Sequence, residues 1–93
     1  MVDTDPPGDP TITGPATPTG DNTPTWTWQS NAAEPGNGTF HYLLDSSPPQ
    51  EGTVSATQYT SSTVPNGTYT LQVQERDEAG NWSGFASRTI TIE

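Results

Sequence analysis

The chain has 93 residues, with 11 acidic side chains against Arg76 and Arg88, one His, no Lys and no Cys, for a formal net charge of −9. That balance excludes phosphate neutralisation and hence nucleic-acid binding, and it argues against anionic membranes. Missing thiols exclude disulfides, thiolate zinc sites and Cys nucleophiles, while missing Lys excludes a Lys–Asn or Lys–Asp isopeptide cross-link.

Only 27% of positions are hydrophobic, so one small domain with a thin core is expected. The Trp, Tyr and Phe residues must supply much of its buried area, about 150–250 Å² each. Composition otherwise favours strands and turns: 17 Thr and 8 Ser stand beside 9 Gly and 10 Pro. No apolar run approaches the ~20 residues of a membrane span, and the start lacks a signal-peptide pattern. A segment of a longer chain is expected, and the absence of Cys leans towards a bacterial source.

Residues 1–9, MVDTDPPGD, read as an interdomain linker, extended by Pro6 and Pro7 and solvated by three Asp. A domain over 10–93 follows. Its first edge strand lies near 10–14, around Ile12, and 15–22 is a turn-rich loop. TPTWTWQS at 23–30 is a strand with Trp26 and Trp28 on one face. Beyond the 31–38 loop, TFHYLLD at 39–45 puts Phe40, Tyr42 and Leu44 on one face. SSPPQEG at 46–52 reads as a loop because consecutive prolines interrupt a ladder.

Residues 53–63 hold one or two weak strands anchored by Val54 and Tyr59, and VPNG at 64–67 is a tight turn. TYTLQVQER at 68–76 is the clearest strand, with Tyr69, Leu71 and Val73 in register. The last strand runs through SRTITIE at 87–93, with Ile90 and Ile92 in register. About seven short strands between turns, with no helical period, indicate an all-β sandwich or barrel.

Catalysis finds no support in this pattern. His41 alternates to the face opposite Phe40 and Tyr42, and no nucleophile or orienting carboxylate is grouped with it. No catalytic set is therefore expected. Asn37-Gly-Thr39, Asn66-Gly-Thr68 and Asn81-Trp-Ser83 match the glycosylation acceptor pattern, but the turn chemistry of Asn-Gly accounts for them better.

The stretch VPNGTYTLQVQERDEAGNWS resembles the end of a fibronectin type III-like or bacterial immunoglobulin-like domain, and DTDPPGDPTITGP with the Thr-Pro-Thr-Trp-Thr-Trp strand resembles its start. The likeness touches most of the chain except 46–63. It implies an immunoglobulin-like β-sandwich of about seven antiparallel strands, repeated in tandem in a large bacterial surface adhesin and working as an extracellular, non-catalytic spacer. Partners would be the neighbouring repeats of the same chain, and the isolated domain is expected to be a monomer. Tyr69 fits a tyrosine corner, its hydroxyl bonding backbone near Val64–Asn66, and Trp28 fits the core Trp of the second strand.

The resemblance also implies a calcium joint. With immunoglobulin-like strand order, the linker, the 31–38 loop and the 77–83 loop share a pole that collects Asp3, Asp5, Glu34, Glu75, Asp77 and Glu78. Asp3, Asp5 and Asp77 are then the first candidate Ca²⁺ ligands, with Glu75 and Asn81 behind them; solvated acids are the competing reading. Trp82, beside this loop, either packs across the sandwich mouth or stacks on a sugar ring. In the second case the domain is an accessory carbohydrate-binding or linker module of a secreted polysaccharide-degrading enzyme.

Overall fold

Alternation decides which side of each strand is buried. In TWTWQ the two indoles turn inward while Thr25 and Gln29 face solvent, and in TFHYLL Phe40, Tyr42 and Leu44 do the same. The computed structural model of the protein describes residues 6–46 and 48–93, and among these there are seven strands and no helix. They are β1 (Thr11–Gly14), β2 (Thr25–Gln29), β3 (Thr39–Leu44), β4 (Gln50–Val54), β5 (Gln58–Thr60), β6 (Gly67–Arg76) and β7 (Ala86–Ile92). Two antiparallel sheets result, one of three strands in the order β1-β2-β5 and one of four in the order β4-β3-β6-β7.

β4 begins earlier than expected, at Gln50, inside the stretch read as a loop. Pro48 and Pro49 end just before the ladder, so Gln50, Glu51 and Gly52 are free to pair with Leu44, Leu43 and Tyr42. Gly52 is suited to that register, because a Cβ there would stand 3.0 Å from the Tyr42 hydroxyl. The phenol of Tyr42 lies where a side chain would otherwise be.

One apolar cluster joins the sheets. Trp26 and Trp28 come from the first; Phe40, Tyr42, Leu44, Leu71, Val73, Ile90 and Ile92 come from the second. Trp28 meets Phe40 edge-on at 6.0 Å between ring centres, and Tyr42 stacks on Tyr59 at 4.2 Å. Each large apolar side chain buried here contributes about 1.5–3 kcal/mol.

The connection between β1 and β2 ties the sheets a second time. Thr19 donates its N–H to Thr91 O at 3.0 Å and accepts from the Glu93 N–H at 3.0 Å, covering the outer edge of β7. Further along that edge, Arg88 donates to Pro15 O from Nε at 2.8 Å and from Nη2 at 2.6 Å.

Register fixes the two poles. Thr11 pairs with Gln29, so the described chain enters beside the β2–β3 loop; Ile92 pairs with Gly67, so it leaves at the other end. The molecule measures 50 × 24 × 17 Å. At the exit pole the Tyr69 hydroxyl donates to Pro65 O at 2.6 Å, within the Val64–Asn66 stretch expected for it. Tyr59 donates to Gln50 Oε1, which also accepts the Ser62 N–H at 3.0 Å, so this phenol links the short edge strands of the two sheets.

Two tyrosine substitutions separate these roles. Tyr69→Phe removes one hydrogen bond without opening a cavity, and a loss of about 1 kcal/mol at unchanged m is expected in urea unfolding. Burial, with Tyr42 alongside, raises the Tyr59 phenol above its ordinary value. The folded chain therefore holds that proton more tightly than the unfolded one. Its contribution is complete below the unfolded value and is lost as pH rises through the folded one. Stability should fall above about pH 10, and less steeply in Tyr59→Phe.

Candidate functional site

Glu75 continues the inward side of β6 after Leu71 and Val73, and it is fully buried. A carboxylate placed there must be satisfied by the protein. Ser30 donates its hydroxyl to Oε2 at 3.0 Å, and the Gly38 N–H donates to the same oxygen at 2.9 Å. Oε1 has no hydrogen-bond partner among the described residues. Ser83 closes the other side: its hydroxyl accepts the Glu75 N–H at 2.9 Å, and its own N–H donates to Glu75 O at 2.7 Å.

The β2–β3 loop is moulded around this side chain. Gly38 takes φ +86°, which L side chains resist. Gly36 lies flat on the glutamate, for a Cβ there would come within 2.5 Å of Arg76 O and 2.7 Å of Glu75 Cγ. Segment 6–9 docks on the same loop: Pro7 is buried, and the Gly8 N–H donates to Glu34 O at 2.8 Å.

Asp77 and Asn81 meet in the turn that follows. Asp77 Oδ1 accepts the Asn81 N–H at 2.8 Å, Oδ2 accepts the Asn81 side-chain amide at 3.1 Å, and the Asp77 N–H returns to Asn81 O at 2.9 Å. This reciprocal pairing shapes the β6–β7 connection with Gly80 at φ +91°. Glu75 is buried at this pole, whereas Asp77 is only half-buried in the turn beyond it. Asp3 and Asp5, the first candidates for a calcium set, lie outside the described residues. Among the described residues no group of three His, Asp or Glu side chains is placed to hold a metal ion. In this arrangement Gly36 lies over the Glu75 side chain and Asn81 donates to both Asp77 carboxylate oxygens.

Trp82 turns the other way from Ser83. It bridges to Arg76 and lies on the outer face of the four-stranded sheet, not across the mouth of the core. The Arg76 guanidinium sits 5.6 Å from its ring centre, and the His41 ring meets it edge-on at 6.2 Å. Phe85 also packs on His41, at 6.3 Å between ring centres, and is 43% exposed, the one large apolar side chain so exposed among the described residues. His41 Nε2 lies 3.7 Å from Glu51 Oε2, and Gln74 is its register partner on β6. Alternation along β3 sends His41 outward, whereas nothing in the sequence around Trp82 points to its ring neighbours. The pairing of β3 with β6 and the bridge from Trp82 back to Arg76 bring this part of the β6–β7 connection over His41, and neighbouring residues carry no sign of it.

Two further places offer little chemistry. Asn37 is engaged in the pole, its Oδ1 accepting the Thr39 N–H at 3.0 Å and its amide donating to Asp77 O at 3.4 Å. A groove of about 150 Å³ at the exit pole runs between Pro48, Pro49, Val64 and Pro65, and no titratable side chain lines it. Comparison with protein families, curated proteins and solved structures found no match to this chain.

The moulding of the loop on Glu75 is open to test. Gly36→Ala forces apart two backbone segments that meet over a buried carboxylate, so a loss of about 1–3 kcal/mol is expected in thermal or urea unfolding. Gly20→Ala, where the nearest atom to an added Cβ is 3.8 Å away, should change little.

Proposed function

We propose that this domain is a non-catalytic, immunoglobulin-like spacer, one repeat of an extracellular bacterial surface adhesin, which holds a binding tip away from the cell. The observation that carries the reading is the position of the chain at the two poles. The described chain comes in beside Gly36–Gly38 and goes out beside Gly67, so copies joined head to tail would extend along the 50 Å axis. The separation of the first, second and fifth strands from the other four supports the immunoglobulin-like part of the reading. Docking of Pro7 and Gly8 on the β2–β3 loop supports a stiff approach to the domain rather than a free hinge. A charge of −9 per copy keeps crowded repeats apart by self-repulsion.

Two copies in series, joined through residues 1–9, test the reading. Small-angle scattering should give a longest dimension close to twice that of one copy. A collapsed pair, or one sampling all angles, would contradict a spacer. Calcium belongs to this reading only at the joint, where Asp3 and Asp5 would have to add ligands to those of the pole. On that account millimolar Ca²⁺ raises the melting midpoint of the two-copy chain, and a midpoint indifferent to chelator removes calcium from it.

A further inference from the structure

The flank of the four-stranded sheet holds a feature that a spacer does not need. Three rings gather in a strip there, the His41 ring lying 6.2 Å from that of Trp82 and 6.3 Å from that of Phe85 between centres. Hydrogen-bonding side chains border it: Arg76 on Trp82, Gln74 beside His41, and Glu51 at 3.7 Å from the imidazole. Elsewhere the outer faces are tiled by paired threonines, such as Thr70 with Thr89 at 2.8 Å and Thr25 with Thr60 at 2.8 Å. Aromatic area has therefore been placed in solvent by a chain that is short of apolar residues and uses its other tryptophans in the core.

Area and charge narrow the occupant. Even wholly exposed, Trp82 and Phe85 would offer about 150–250 Å² each, and both are mostly covered. That is well below the ~800 Å² per partner of a stable protein interface, so a second copy or a folded partner is a poor fit. A net charge of −9 turns away nucleic acid and anionic surfaces. What fits is a small, uncharged surface that is apolar on one face and ringed by hydroxyls. A hexose presents its C–H face to an aromatic ring and its hydroxyls to amide, carboxylate and guanidinium groups.

We propose that the strip formed by Trp82, His41 and Phe85 on the outer face of β3 and β6 binds a neutral glycan chain, with a sugar ring stacked on Phe85 and against Trp82, and its hydroxyls held by Gln74, Glu51 and Arg76. The proposal goes beyond the spacer reading and does not depend on it. The strip lies on the flank, which stays open in a string of domains as it does in one.

Tryptophan fluorescence suits the test, since Trp26 and Trp28 are 0% and 3% exposed and Trp82 is the remaining indole. The full 93-residue chain is titrated with neutral oligosaccharides: cello-, xylo-, manno-, laminari- and malto-hexaose, and chitohexaose. At least one should give a saturable change that is insensitive to salt, with affinity reduced at least about tenfold in Phe85→Ala. Trp82→Ala, followed by calorimetry, should abolish binding. Phe85 lies outside the apolar cluster between the sheets, so Phe85→Ala should still unfold in a single cooperative transition well above the assay temperature, which keeps a folding defect from passing for lost binding. The proposal fails if no neutral glycan saturates at millimolar concentration, or if binding survives Phe85→Ala. It fails equally if only a polyanion such as heparin binds and salt releases it, or if the rings instead mediate self-association in sedimentation.

Discussion

The packing of Trp28 against Phe40 and Tyr42 is the contact on which the two sheets depend. With 27% of positions hydrophobic, the chain cannot fill the space between sheets with aliphatic side chains, so a few large rings span it. Neither indole N–H of Trp26 or Trp28 has a hydrogen-bond partner among the described residues. Each such donor costs about 1–3 kcal/mol when buried, comparable with what burial of one large apolar side chain returns. The rings act here as apolar volume, and the fold tolerates their idle donors because nothing else of that size is present.

A core this thin ends early, and polar networks take over at both poles. At one, Glu75 gathers Ser30, Gly38 and Ser83. At the other, Gln50 accepts from Tyr59 and donates to Ser46 at 3.1 Å, while Ser46 donates to Pro48 O at 2.9 Å. Arg88, on the inward side of β7, is drawn to Pro15 O and not to a carboxylate, so it joins sheets instead of neutralising charge. The abundance of Thr follows from the same shortage. Cross-strand Thr pairs on the solvent faces each contribute about 0.2–1 kcal/mol without needing apolar neighbours.

Period-2 alternation made the strands legible, since Trp26/Trp28, Phe40/Tyr42/Leu44 and Leu71/Val73 each declare a buried side. The same parity runs on to Glu75 and Asp77, of which Glu75 is buried and Asp77 half-buried. What satisfies Glu75 was not legible, because Ser30 and Gly38 reach it through loop geometry that no local pattern encodes. The need for Gly at position 36 comes from Glu75, 39 positions away, pressing on it. The start of β4 was obscured by Pro48 and Pro49, whose effect stops three residues earlier than a reading by composition suggests. The strip of rings was hidden for a related reason: His41 and Phe85 are 44 positions apart and meet only in the folded chain.

Trp82 and Ser83 show how one dipeptide serves two demands without conflict. Extended backbone sends neighbouring side chains to opposite sides. Ser83, small and buried, closes the pole by exchanging two hydrogen bonds with the Glu75 backbone. That exchange fixes the backbone at 82, and with it the side on which the indole must emerge, above Arg76 and His41. The polar core and the aromatic flank are thus coupled through main chain and share no side chain. A change at Ser83 would displace Trp82 along with the pole, whereas a change at Phe85 touches the flank alone.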